Sequence, residues 1–208
     1  MTTVQDLIDA VQKADSSVGL LIATRNLAEA RDEAAIPTLI EVLRYNNPGA
    51  SVAAVDGLIA LGKTAVPHLL DHLDGYNYGA RAWATRALAG IGDPRGLDLL
   101  LDAAVNDFSF SVRRGAARGL GKIIWSDLPE NEVEAARDAV YTALEGRAIG
   151  DPEWVVRYAA IVGLEGFAGT ATGFHDRIRE LLARIRDTEE EIVVKTRAIA
   201  ALEQIERR

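Results

Sequence analysis

The sequence predicts an all-α protein, a right-handed α–α superhelix of about five to six stacked helical hairpins. Three observations carry that prediction. A triplet of a small residue, a leucine and a further apolar or small residue recurs along the chain at helical spacing. Its copies return at intervals suited to one pair of helices. The composition is 49% hydrophobic but only 6% aromatic, so the core has to be built from Ala, Leu, Ile and Val. Ala and Leu are strong helix formers, and small side chains let helices approach closely.

The triplets are Ala23–Leu27–Ala30, Ala54–Leu58–Leu61, Ala84–Leu88–Ile91, Ala116–Leu120–Ile123, Ala160–Leu164–Phe167 and Ala198–Leu202–Ile205. Steps of four and then three place all three positions on one helical face. Successive leucines are 31, 30, 32, 44 and 38 residues apart. Each leucine marks an inner helix, and turn chemistry marks the start of an outer one. Ile36-Pro37-Thr38, Ala65-Val66-Pro67 and Gly92-Asp93-Pro94 all put proline where a helix begins, a place where its missing N–H costs little. Asp93 is suited to cap the helix that follows. Short connections make successive helices antiparallel. The 44-residue interval predicts an insertion near 124–132 leading into a helix that ends about Glu145, and the 38-residue interval a Gly/Thr-rich loop near 166–174. Residues 1–208 read as a single HEAT-like repeat solenoid, because one hairpin cannot bury its apolar face alone and a stack can.

Composition also excludes functions. With a net charge of −8 the chain repels a phosphate backbone, so nucleic acid is not an expected partner. There is no cysteine, hence no disulfide, thiolate nucleophile or Cys-ligated metal. The N-terminal residues lack the pattern of a secretory signal, and no uninterrupted apolar run approaches the length of a membrane span, so a cytoplasmic protein without a membrane span is expected. His68 and His72 stand four apart with no third ligand in view, which reads as an amphipathic helix and no metal site. No phosphate-binding glycine loop and no nucleophile triad is present.

Three groups of residues remain as candidates. Arg81, Arg113, Arg157 and Lys195 each stand seven residues before an anchor leucine, with Asp74, Asp107, Asp151 and Asp187 upstream. This pattern predicts a structural ladder in which the arginine of one repeat meets the loop acid of a neighbour. Arg114 and Arg118 share a helix face four residues apart, with Arg86 at the height of Arg118 on the preceding inner helix. They form either a solvated face or a clamp for carboxylates. Tyr76, Tyr78 and Trp83 crowd one interhelix turn, and Asn106-Asp107-Phe108-Ser109-Phe110 and Asp151-Pro152-Glu153-Trp154 occupy the equivalent turns. Aromatic residues with a polar handle suit planar conjugated ligands and protein contacts alike.

Asp74-Gly-Tyr-Asn-Tyr-Gly-Ala-Arg81, Ile91-Gly-Asp-Pro-Arg-Gly-Leu-Asp98, Asn106-Asp-Phe108, Ser111-Val-Arg-Arg114 and Trp154-Val-Val-Arg-Tyr-Ala-Ala-Ile-Val-Gly-Leu164 resemble the E/F-type phycobilin lyases, and among them the F-type subunits directed at the phycocyanin α subunit. The resemblance spans about residues 32–208. It implies a heterodimer with an E-type lyase subunit, phycocyanobilin as substrate rather than cofactor, and a cysteine of the phycocyanin α subunit as acceptor. Isomerising relatives carry a His-Cys motif; this chain, without cysteine, is not expected to isomerise the bilin. Under this reading Arg86, Arg114 and Arg118 hold the bilin propionates, Tyr76, Trp83 and Tyr158 stack on its rings, and Asp107 or Tyr78 supplies the acid. A phycoerythrin-directed lyase, a non-catalytic scaffold for phycobiliproteins and a general HEAT adaptor are the competing functions.

Overall fold

The computed structural model describes residues 2–71 and 78–207, the Tyr78 side chain apart. Among them are twelve α-helices and no strand: α1 (Val4–Gln12), α2 (Ser17–Glu29), α3 (Ile36–Val42), α4 (Pro48–Leu61), α5 (Ala65–Asp71), α6 (Tyr78–Ile91), α7 (Leu97–Asn106), α8 (Phe110–Leu120), α9 (Glu130–Gly150), α10 (Trp154–Ala168), α11 (His175–Thr188) and α12 (Ile192–Glu206). They pair in chain order as hairpins, and the second helix of each carries one of the six anchor leucines. Those leucines are buried without exception, from 0% exposed at Leu27, Leu58, Leu120 and Leu164 to 9% at Leu202. The chain divides into two compact units, Met1–Ile91 and Gly92–Arg208.

In the first unit, a reciprocal cap opens α1: the Thr3 hydroxyl accepts the Asp6 N–H, and the Asp6 carboxylate accepts the Thr3 N–H. Helix α4 packs between α2 and α6. Asn47 accepts the Ala50 N–H at the start of α4 and donates to the Ser17 carbonyl at 2.9 Å, which ties the turn to the preceding inner helix. Residues 48–71 are apolar enough to suggest a membrane span by composition. They fold instead as two helices broken at Gly62, whose φ of 65° is left-handed. The 14 residues of α4 reach only about 21 Å, short of a bilayer core of about 30 Å.

In the second unit α10 lies between α8 and α12, with α9 and α11 packed against it as the outer layer. Asp93 caps as expected, accepting the Arg95 N–H at 2.9 Å. Helices α8 and α10 meet backbone to backbone. A Cβ added at Gly163 would sit 2.3 Å from the Ala117 carbonyl, and one at Gly166 would sit 2.6 Å from the Gly121 carbonyl.

Two sequence expectations change here. Helix α9 runs on to Gly150, beyond the expected end near Glu145, because Ala148 is fully buried and rewards another turn. Residues 166–168 belong to α10 and not to a loop, since Gly166 serves close packing rather than chain freedom. Within the expected insertion at 124–132, otherwise largely exposed, a 3₁₀ turn at Trp125–Asp127 buries Trp125, whose Nε1 donates to Thr170 Oγ1 at 3.0 Å and whose ring meets Phe167 edge-on at 5.8 Å.

Candidate functional site

The upstream ends of two inner helices in the second unit, α8 and α10, are each fixed by an arginine fork. Arg113 donates through Nε and Nη2 to both carboxylate oxygens of Asp151, at 2.8 and 3.0 Å, and through Nη1 to the Asp107 and Phe108 carbonyls. Arg157 repeats the arrangement on Glu189, at 2.9 and 3.0 Å, and on the Asp151 carbonyl. Each acid also accepts an N–H of its own turn: Glu153 donates to Asp151 and Glu191 to Glu189. Burial pushes the Asp151 carboxyl up, but the Arg113 fork, the Glu153 N–H and the charges of Arg113 and Arg147 outweigh it and leave the group below its ordinary value. The Arg157 fork likewise lowers Glu189.

At Arg113 and Arg157 the arginine meets a loop acid of the next repeat as the spacing predicts, with one correction; Asp74 lies outside the described residues. The acid facing Arg157 is Glu189; Asp187 pairs with its neighbour Arg186. The signal was available: Asp107, Asp151 and Glu189 all stand thirteen residues before an anchor leucine, whereas Asp187 stands fifteen before. Asp107, offered as a catalytic acid, occupies the ladder position and accepts the Ser109 N–H at 2.8 Å.

Away from the ladder, arginine partners separate two residues from the rest. Arg95, Arg113, Arg147, Arg157, Arg177, Arg179, Arg184, Arg186, Arg197 and Arg207 pair with carboxylates, and Arg137 donates to the Thr170 carbonyl. Of the described arginines of this unit, only Arg114 and Arg118 have no polar partner. Both are exposed, one turn apart on α8. In the repeat register Arg114 is level with Tyr158 on α10 and Thr196 on α12. Tyr158 is half-buried and lines a cleft of about 430 Å³ with Ile192, Val193, Thr196, Arg197 and Ala200.

In the first unit Arg86 is exposed and lies over the half-buried Trp83 ring at 5.6 Å, so two of the predicted residues meet in a cation–π contact. Tyr76 lies outside the described residues, as does His72; Tyr78 begins α6, its side chain undescribed. Among the described residues no cluster of potential metal ligands occurs. His175 bonds through Nε2 to the Ala168 carbonyl at 2.7 Å.

The aromatic turns singled out in the sequence also gather exposed aliphatic residues, which the sequence reading did not include. Seven of the nine exposed large hydrophobic residues of the second unit gather at the ladder turns: Val105, Phe108, Phe110, Ile149, Trp154, Ile192 and Val193. Each sits in the turn or within two residues of the helix end beside it. Phe110, Trp154 and Ile192 fill the same register position, ten residues before successive anchor leucines, which is the signal that would have found them.

Comparison with known proteins gives one family. The chain matches the model described as HEAT repeats over residues 66–165 and the model described as PBS lyase HEAT-like repeat over residues 21–45. It is 52% identical over 202 residues to the phycocyanin alpha phycocyanobilin lyase CpcF of Synechocystis sp., covering 97% of this chain and 94% of that protein. It is 47% identical over 204 residues to the phycocyanobilin lyase subunit beta of Nostoc sp., covering 96% and 98%. Among solved structures it is similar to a chain in the complex of CpcE and CpcF of phycocyanin lyase from Nostoc sp. PCC7120, with a TM-score of 0.77 and 45% identity over 82% of this chain and 99% of that one.

Proposed function

Because the chain belongs to the CpcF family of phycocyanobilin lyase subunits, we propose that it acts with an E-type partner to attach phycocyanobilin by a thioether to a cysteine of the phycocyanin α subunit. The observation that carries this is identity above 50% along nearly the whole chain with a protein named for that reaction. The reaction is assigned to the cytoplasm, where an acceptor cysteine stays a thiol.

The chemistry asks little covalent work of this chain. The acceptor's thiol adds across the ring A ethylidene of the bilin: its sulfur forms the new bond to carbon, the double bond is consumed, and its proton is replaced on the bilin by way of an acid. Nothing leaves and no external energy enters. A chain without cysteine suits this role, since the nucleophile belongs to the acceptor. Its task is to hold bilin and thiol in one orientation.

Arg114 and Arg118 are proposed to take the two propionates. They are cations in an acidic protein with no carboxylate of their own, and a guanidinium fork matches a carboxylate. Tyr158, level with Arg114, offers a ring face to the pyrroles; in the first unit Trp83 and Tyr76 are proposed for the same use, and Arg86, over the Trp83 ring, for a further propionate contact. The proton is assigned to Asp107 or Tyr78. Asp107→Asn distinguishes them, because asparagine can still accept the Ser109 N–H while it cannot donate an acidic proton. The apolar turns are proposed as the surface covered by the E-type partner, since a lasting heterodimer needs apolar area.

The test is co-expression with an E-type subunit, phycocyanin α subunit and a phycocyanobilin source, scored as covalent zinc-fluorescent bilin on the acceptor. Adduct that requires this chain is expected, and Arg114→Ala/Arg118→Ala is expected to reduce it at least tenfold. No adduct with a folded, associated pair refutes the reading and favours a phycoerythrin acceptor or a binding scaffold; full transfer by the double variant refutes the clamp.

A further inference from the structure

Residues that share a register position on the inner helices can be compared for burial. Three residues before the anchor leucines stand Thr24, Val55, Thr85, Ala117, Ile161 and Ile199. The first five are at most 1% exposed, whereas Ile199 is 39% exposed. In the second unit this position faces the next inner helix: a Cβ added at Gly163 on α10 would sit 2.3 Å from the Ala117 carbonyl on α8. One turn earlier on the same face stand Arg113 and Arg157, whose acids come from the turn before the next inner helix. On α12 that face carries Ile192, which is 67% exposed, then Lys195 and Ile199. Lys195 is half-buried in the ladder position, and among the described residues no carboxylate pairs with it. Asp187 feels its charge but gives both oxygens to Arg186. Helix α12 thus presents to solvent the apolar step and the cation that α8 and α10 present to a following helix.

We propose that the E-type partner docks end-on against this face, laying a helical hairpin along α12 so that its inner helix covers Ile199 and its turn gives a carboxylate to Lys195. The identity of the occupant rests on the heterodimer reading above; the chemistry of the contact rests on the register. A second copy of this chain lacks the acid. Each rung acid stands thirteen residues before an anchor leucine, and ahead of Leu27 that position is Ala14. A copy stacked there would also leave its own α12 open, an association that does not close on itself. The face is continuous with the exposed turns through Ile192, which belongs to both. Ile192 and Ile199 give the contact apolar area. Lys195 gives it selectivity, since a partner without the acid would leave the ammonium desolvated and unpaired.

Association of this chain with an E-type subunit, measured by calorimetry, tests this. Ile199→Asp and Lys195→Glu are each expected to weaken it at least tenfold with unchanged helicity. Lys195→Arg keeps the cation and offers the fork used at Arg113 and Arg157, so it is expected to hold affinity within about threefold. Val18→Asp, at an exposed apolar position on α2, is expected to leave affinity unchanged. A photo-crosslinking side chain placed at Ile199 is expected to label a helical segment of the E-type subunit beside an acidic turn. Full affinity of a folded Ile199→Asp, a loss at Val18→Asp equal to that at Ile199→Asp, or labelling only of this chain or a second copy of it overturns the end-on dock. If the unaltered pair still associates and transfers bilin in that case, only this inference falls. An unaltered pair that neither associates nor transfers bilin overturns the proposed function as well.

Discussion

Replacing Arg113 with alanine is the sharpest probe of the scaffold. The substitution strips Asp151 of its fork while that carboxylate stays at 0% side-chain exposure, with the Glu153 N–H and a longer 3.4 Å contact to Arg147 remaining. It also leaves the Asp107 and Phe108 carbonyls without their guanidinium donor. Breaking a buried pair on one side costs about 3–5 kcal/mol, because the remaining charge is desolvated and keeps only weaker contacts. For a chain of this size that corresponds to a fall in melting temperature of roughly 6–20 °C. Urea and thermal unfolding followed by helical circular dichroism measure it, with Arg114→Ala, an exposed neighbour, expected to stay within about 0.5 kcal/mol of the starting protein. Adding Asp151→Ala to Arg113→Ala should restore part of the loss, since no stranded charge then remains. A loss below about 1 kcal/mol for Arg113→Ala, or no recovery in the double variant, refutes the ladder as a source of stability.

The same pairs set an acid limit. Asp151 and Glu189 are both held below their ordinary values in the fold, so their contribution is present above an unfolded carboxylate value of about 4 and is lost as pH falls through the lower folded values. Melting temperature should hold steady from pH 7 to about 5 and drop below about 4, less steeply in Arg113→Ala; equal slopes in the two proteins would contradict this. Gly163→Ala should cost about 1–3 kcal/mol, since its Cβ meets the Ala117 backbone, which cannot turn aside. Gly115→Ala, with open space around the added methyl, should stabilise by up to about 1 kcal/mol, and a chemical denaturation series separates the two. Ile192→Asp combined with Phe108→Asp should weaken association with the E-type partner at least tenfold in a sedimentation or calorimetric measurement while leaving helicity unchanged; undiminished association would move the partner surface elsewhere.

How far the sequence reached can be read from particular residues. The leucine register was fully legible because each anchor sits on a face with no polar alternative, and burial follows from that face alone. The arginine ladder was legible for the same reason: side chains locked to a helix register repeat with it. What failed was end-point chemistry. Asp187 reads as the acid because aspartate stands upstream of the other rungs, although the thirteen-residue spacing to the anchor leucine picks out Glu189. Gly166 and Gly146 look like helix stops in a linear reading, yet one is there to admit a neighbouring backbone and the other is passed over because Ala148 has a place to be buried. Arg114 and Arg118 were visible as a pair. Their lack of partners was not, because pairing depends on acids supplied by other helices.

The ladder also runs in one direction. Arg113 meets an acid 38 residues later in the chain, and Arg157 one 32 residues later. Each of these turns is thus finished by a stretch of polypeptide not yet made when its own hairpin emerges from the ribosome. A second unit cut short before Asp151 leaves Arg113 waiting for its counterion, and one cut short before Glu189 leaves Arg157 waiting for its own. Over these two repeats chain growth and structural completion advance together, one repeat out of step, so termination between an arginine and its acid leaves an unsatisfied cation at the break rather than a shorter finished protein.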